Sequence, residues 1–225
     1  SLNSILRYKP NNIYISCDGP KNKGLDKKKI AEVRNFIVQR TKKIKGVRYI
    51  FNKKNLGCKK SNIKAINWFF KNEKYGIILE DDCVANLKFF HFCKLLLSKY
   101  KLNKKIYCIS GSNFQANPID KYSYYFSKYN HCWGWATWRD RWKENDEKIK
   151  FWKKFKETEK WKKTHLNNIE LKYWEKIFDK VYCNKIDSWA YPWTLCVWKK
   201  SGLTITPNMN LVKKIFVDVQ KMKTS

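Results

Sequence analysis

Three consecutive carboxylates, Glu80, Asp81 and Asp82, follow the apolar run Gly76-Ile77-Ile78-Leu79. Adjacent carboxylates repel one another, and that cost falls when a divalent cation sits among them. A hard cation with open coordination positions can bridge a diphosphate and stabilise it as a leaving group. The simpler alternative is that Asp81 and Asp82 cap the helix that follows. The position of the triplet at the end of an apolar strand favours the metal. Two further loops carry matching chemistry: Asp18-Gly19-Pro20 and Asn55-Leu56-Gly57, each after a short β-type run. Lys53 and Lys54 stand beside the second loop, either to offset phosphate charge or as solvated surface residues.

The elements that must hold these loops alternate in period. Ile13 to Ser16 reads as a strand. Ile30, Val33 and Ile37 mark an amphipathic helix over 26–43, and 47–51 reads as a second strand. Ile63, Ile66 and Phe70 share one face of a helix over 61–73. Residues 76–79 form a third strand, expected to be buried on both faces. A Phe- and Leu-rich helix over 86–100 leads to a strand at 106–109. This order predicts an α/β fold with a mostly parallel central sheet flanked by helices. Ligands of such sheets bind at the carboxyl ends of strands, so Asp18, Gly57 and Asp82 are expected on one rim of one sheet. The expected organisation is an α/β half, 1–115, and a helical, aromatic-rich half of the same domain, 116–225. The second half holds a Lys-rich helical stretch over 142–182 and a helix near 194–198. Leu2 to Tyr8 reads as a helix with no strand before it, which suggests a chain that natively begins earlier.

The formal charge is +30, from 49 Lys and Arg against 19 Asp and Glu. Such a balance attracts polyanions, including nucleic acid and anionic lipid. The excess is mostly Lys, spread along the whole chain, and no helix-turn-helix or zinc-finger pattern accompanies it. Nucleic-acid binding therefore rests on charge alone, and none is expected. None of the eight cysteines forms a C-x-x-C pair, which argues against structural zinc and for reduced thiols. No apolar run is long enough to cross a bilayer, and residues 1–10 lack a secretory signal. A cytoplasmic protein, peripheral at the inner membrane face, is the expectation.

The series Ile13-Tyr14-Ile15-Ser16-Cys17-Asp18-Gly19-Pro20, Asn55-Leu56-Gly57-Cys58, Ile77-Ile78-Leu79-Glu80-Asp81-Asp82-Cys83 and Ile109-Ser110-Gly111-Ser112-Asn113-Phe114 resembles a family of proteins. These are bacterial GT-A nucleotide-diphospho-sugar transferases, akin to family-2 glycosyltransferases and to the N-acetylglucosaminyltransferase I type. The likeness continues through Tyr125-Phe126-Ser127-Lys128-Tyr129 and Cys132-Trp133-Gly134-Trp135-Ala136-Thr137-Trp138. It reaches Lys185-Ile186-Asp187-Ser188-Trp189 and Pro207-Asn208-Met209-Asn210-Leu211-Val212.

The resemblance implies metal-dependent sugar transfer from a nucleoside-diphosphate sugar to a glycan or lipid-linked acceptor, with Mn2+ or Mg2+, in surface polysaccharide biosynthesis. It makes Asp82 the metal ligand, with Asp81 at the ribose or the metal and Glu80 completing the motif. Asp18 contacts base or ribose, Gly19 belongs to the same loop, and Asn55, Leu56 and Gly57 line the nucleotide pocket. Trp133 or Trp135 would face the acceptor and Trp138 the core, with His131 a structural neighbour. Where relatives read Trp-Asp-Tyr-Gln-Trp, this chain reads Trp189-Ala190-Tyr191-Pro192-Trp193, so Asp187 becomes the candidate base. The family's opening strand and its C-terminal His are also missing. Those departures support an alternative, a non-catalytic nucleotide-sugar-binding relative.

Overall fold

The computed structural model describes residues 1–21, 24–115, 117 and 121–215. Helix α1 (Leu2–Tyr8) is followed by strand β1 (Ile13–Cys17), helix α2 (Leu25–Thr41) and strand β2 (Val47–Phe51). Helix α3 (Cys58–Asn72), strands β3 (Tyr75–Ile78) and β4 (Cys83–Ala85), helix α4 (Leu87–Lys99) and strand β5 (Ile106–Ser110) come next. Strands β6 (Tyr124–Ser127) and β7 (Trp135–Trp138) precede four helices, α5 (Arg139–Trp142), α6 (Trp152–Lys156), α7 (Glu159–Lys163) and α8 (Asn168–Tyr182). Helix α9 (Ala190–Lys199) and strands β8 (Leu203–Pro207) and β9 (Val212–Lys214) complete the described chain. The elements expected from periodicity are present, with ends displaced by a few residues.

These elements form two compact units, each built from separate stretches of chain. A helical unit comprises Pro10–Glu73 and Glu144–Lys199. A sheet unit comprises Ser1–Lys9, Lys74–Lys143 and Lys200–Ser225.

The sheet unit overturns the expected topology. Among the described residues its five strands run in the order β3-β7-β5-β8-β6, and only the β5–β8 pairing is parallel. The sheet is mostly antiparallel. Strands β1 and β2 pair in parallel with each other, in a two-stranded sheet of their own. Asp18 and Gly57 therefore follow strands of one sheet while Asp82 follows a strand of another, so the single shared sheet of the sequence reading is not formed. Strand β3 is half-exposed, contrary to the expectation of burial on both faces. The strand that breaks the parallel arrangement, β7, lies antiparallel between β3 and β5 and is a wholly buried run, Trp-Ala-Thr-Trp. A short apolar run carries no periodicity that tells a buried strand from a buried helix.

Helix α4 packs on this sheet through Phe89, Phe90, Cys93, Leu96 and Leu97, which join Ile106, Ile109, Ala136, Trp138 and Ile205 in one core. Arg141, 3% exposed, donates to the carbonyls of Lys101, Asn103 and Ile106 and lies over the Trp138 ring. Here the guanidinium's fixed fork gathers carbonyls from one loop, a task a lysine point charge performs poorly. The helical unit has an aromatic core in which Trp161 meets Trp152, Phe155 and Phe178 edge-on. No helix is long and apolar enough to cross a membrane among the described residues. All eight cysteines are free thiols.

Candidate functional site

In the helical unit, strands β1 and β2 end side by side, with Cys17 opposite Phe51. Their loops leave in the same direction and are tied together by one carboxylate. Asp18 Oδ1 accepts the Gly19 N–H at 2.8 Å and the Asn52 amide at 3.1 Å. The Leu56 N–H reaches both Asp18 oxygens, at 3.1 and 3.0 Å. Asn55 returns a bond from its amide to the Gly19 carbonyl at 3.0 Å, and its own carbonyl oxygen accepts the Gly57 N–H at 3.2 Å. Gly19 is required by close approach. A Cβ there would lie 2.7 Å from Lys54 Cα and nearer still to its carbonyl. Gly57 has φ +80, a conformation that costs an L-residue strain, and sits at the N-terminus of α3.

Two further groups complete this cluster. Arg34 on α2 donates to the carbonyls of Asp18 at 2.9 Å and Asn52 at 2.7 Å, stitching the two strand ends. The sequence reading missed it. Its signal was available: the only arginines are Arg7, Arg34, Arg40, Arg48, Arg139 and Arg141 in a chain that otherwise uses Lys for positive charge. A rare Arg in such a background marks a place where a forked donor is needed. Asp187 also arrives here. Its Oδ1 accepts the Lys59 N–H at 3.3 Å, in the first turn of α3, and its other oxygen faces Gly57. The structure thus groups Asp18, Gly19, Asn55, Leu56, Gly57 and Asp187. Lys53 and Lys54 are exposed beside them.

The acidic triplet lies in the sheet unit on a tight turn, where the Glu80 carbonyl accepts the Cys83 N–H at 3.1 Å. It does not cap the next helix. Strand β4 intervenes, and Asn86 caps α4 by accepting the Phe89 N–H at 3.0 Å. Asp81 is exposed and accepts the Asp82 N–H, while Glu80 and Asp82 are half-buried.

Asp82 has a cationic partner, Lys214, whose ammonium lies 3.1 Å from Oδ2. The path to that contact starts at two glycines. Val212 is seated where a Cβ on Gly111 or Gly134 would collide with it, at 2.5 and 2.7 Å. Strand β9 then pairs with β4 so that Lys214 stands opposite Cys83, and the Ile215 N–H reaches the Asp82 carbonyl at 2.7 Å. The Lys214 ammonium also sits 5.0 Å over the Trp133 ring. Burial alone would lower the Lys214 pKa, but the bond to Asp82 and the charges of Asp82 and Glu80 outweigh it and raise the value. Burial, with the neighbouring Glu80 charge, pushes the Cys132 thiol up to about 11. Burial and the bond to Asp82 push Cys83 up to about 12. Neither cysteine is a thiolate at neutral pH.

Trp133 is half-buried, with Phe114 edge-on at 5.1 Å. Trp135 is 1% exposed and packs against Trp142. Trp138 is equally buried and donates its indole N–H to the Leu97 carbonyl. His131 packs on Phe114, and burial lowers its pKa. No group of three or more His, Cys, Asp or Glu side chains is arranged to hold a metal among the described residues. The donor chemistry of the turn, hard carboxylate oxygens, still suits Mn2+ or Mg2+. As arranged, the position beside Asp82 is held by an ammonium.

No family model and no curated relative matches this sequence. Solved structures do match in shape. One is a crystal structure of GalNAc-T7 with UDP, GalNAc and Mn2+, at 12% identity and a TM-score of 0.54. The match covers 96% of this chain and 40% of that one. A likeness at this identity shows a shared GT-A-like fold, and the chain spans well under half of the structure it matches.

Proposed function

We propose that this chain is a glycosyltransferase that moves a sugar from a nucleoside-diphosphate sugar to a hydroxyl of a glycan or lipid-linked acceptor. The observation that carries this reading is the acidic turn. Its carboxylates follow a strand and are spared from helix capping, in a fold shared with a structure that holds UDP and Mn2+. The closer kinship with bacterial family-2-like transferases rests on the order of the sequence motifs.

In this reading Asp18, Gly19, Asn55, Leu56 and Gly57 bind the nucleoside. Asp18 acts by holding the Asn55-Leu56 backbone in place, because its oxygens are already engaged by Gly19, Asn52 and Leu56. Asp82 would ligate the cation, with Glu80 and Asp81 beside it, and a bound Mn2+ or Mg2+ would supply charge stabilisation for the diphosphate. Lys214 competes with that cation for Asp82. Trp133 offers an aromatic face to the acceptor, and Trp135 supports it from within the sheet. Asp187 is the candidate base; it is exposed and keeps one oxygen clear of the Lys59 bond. The family resemblance and the basic surface together support a setting at the cytoplasmic membrane face.

Calorimetry with UDP and GDP, with and without Mn2+, tests the reading. Mn2+-dependent nucleotide binding that disappears in Asp82→Ala is the expected result. Unchanged binding in that variant would leave the acidic turn a structural feature. The second reading, a nucleotide-sugar-binding relative without catalysis, is favoured by Ala190 at the start of α9, where the resembling family has an acid. Hydrolysis of UDP-sugars separates the two, since a pure binding protein leaves the donor intact.

A further inference from the structure

The long helix α8 presents two faces of opposite character. Its inner face packs into the aromatic core: Phe178 is 0% and Val181 2% exposed, and Trp174 stacks on Phe178. Its outer face runs through Ile169, Lys172, Tyr173, Lys176 and Lys180, at the three-, four- and seven-residue spacings that share one side of a helix. Ile169 is 83% exposed and Tyr173 54%, and Leu166, just before the Asn167 cap, is 88% exposed.

The charges of this segment are sorted in the same way. All three acids of α8 are engaged within the unit. Glu170 faces the His165 ring at 3.4 Å, and Glu175 accepts the Trp161 indole N–H at 3.2 Å. Asp179 accepts the Trp152 indole N–H at 2.8 Å and the Lys156 ammonium at 3.0 Å. Lys163, Lys172, Lys176 and Lys180 remain exposed around the apolar residues.

We propose that this surface docks on an anionic lipid bilayer, with Leu166, Ile169 and Tyr173 entering the headgroup region and the flanking lysines meeting lipid phosphates. A helix with a basic polar face and exposed aliphatic residues lies in such an interface, where lysine stems extend along the apolar layer. A nucleic acid would engage the lysines but leave Leu166 and Ile169 in water. Helix α2 provides the internal comparison. Leu25, Val33 and Phe36 are also exposed there, at 79%, 51% and 58%. Asp26 and Glu32 are carried on the same helix, and Glu32 is exposed among those residues, so α2 lacks the sorting of charge that a negative surface selects. This inference stands independently of the transferase reading.

Cosedimentation of the full chain with vesicles at 0.15 M salt tests it. Binding to vesicles with about 30% phosphatidylglycerol and none to pure phosphatidylcholine is expected. The triple variant Leu166→Ser, Ile169→Ser, Tyr173→Ser should bind about tenfold more weakly. The triple variant Lys172→Gln, Lys176→Gln, Lys180→Gln should lose about a hundredfold, since each lysine near an anionic surface contributes about fivefold. The matching α2 variant, Leu25→Ser, Val33→Ser, Phe36→Ser, should bind as the parent does. All nine positions are exposed, and circular dichroism confirms that each variant is folded. Unaltered binding by both α8 variants overturns the proposal, as does an equal loss in the α2 variant. If only the lysine variant loses binding, the surface reads charge alone, which fits an acidic macromolecule and overturns docking into a bilayer.

Discussion

Asp18 and Asp82 both follow a strand of this molecule, and they are held in opposite ways. Asp18 is enclosed by backbone and amide donors from Gly19, Asn52 and Leu56. Asp82 is held by the adjacent Cys83 thiol and by a lysine ammonium on a short strand near the end of the described chain. Several fixed donors give a carboxylate one position and one shape of loop. A single ammonium on a flexible stem gives it a partner that another cation can replace. The first arrangement suits a preformed surface and the second an exchangeable charge.

The largest effect expected from testing this contrast concerns Asp187, which shares the organised cluster through Lys59. If it serves as the base, Asp187→Asn lowers the rate of sugar transfer by about 10²–10⁴-fold. UDP affinity should be unchanged, because an asparagine oxygen still accepts the Lys59 N–H. Ala190→Asp should raise turnover. Single-turnover assays with calorimetry on the same samples check both. An Asp187→Asn protein as active as its parent removes Asp187 from the chemistry.

The next effect concerns rigidity. Gly19→Ala forces a Cβ into the Lys54 backbone, a clash of the kind that costs about 1–3 kcal/mol. Asp18→Ala leaves the Leu56 N–H and its neighbours without their acceptor, again about 1–3 kcal/mol. Urea denaturation should show both losses, and UDP binding should weaken with them. A destabilised Gly19→Ala protein that binds UDP normally would show that this loop pair has no part in the site.

Asp82 should behave differently. Its pair with Lys214 is one-third exposed on the Asp82 side, so Lys214→Ala should alter stability by no more than about 1 kcal/mol. The same substitution should tighten Mn2+ binding by about twofold to fivefold, the worth of an exposed ion pair now absent. Titration with Mn2+ alone reads this directly. Weaker Mn2+ binding in Lys214→Ala would mean that the lysine supports the cation site and does not compete for it.

The smallest effect is on acid stability. Burial would raise the Asp179 pKa, but the bonds from Trp152 and Lys156 hold it below the usual carboxylate value. A depressed folded pKa contributes stability that is present above the unfolded value, about 3.9, and is lost as pH falls through the folded one. Asp179→Asn should therefore lower stability at pH 7 by under about 1 kcal/mol and flatten the acid limb below pH 4. A melting-temperature series from pH 7 to pH 2 checks the sign.

Local pattern made much of the first half legible. Ile63, Ile66 and Phe70 marked α3, and all three are buried. The three loops were found because a Gly or an acid after a β-type run is unusual enough to stand out. Arg34 escaped because its role depends on carbonyls at the ends of two strands, which no spacing within α2 records. Lys214 escaped for a similar reason. It is one lysine among many, and only the seating of Val212 against Gly111 and Gly134 brings it to Asp82.

The sequence by itself determined the helices and strands from α1 to β5 other than β4, and the position of the acidic turn after β3. Each of these follows from backbone preference and side-chain period over a few residues. Tertiary structure alone decided which strands pair. Whether Trp135–Trp138 lies antiparallel between β3 and β5 depends on hydrogen bonds between residues dozens of positions apart. Those partners are chosen by which apolar faces can be buried together, a property of the folded chain that no local window contains.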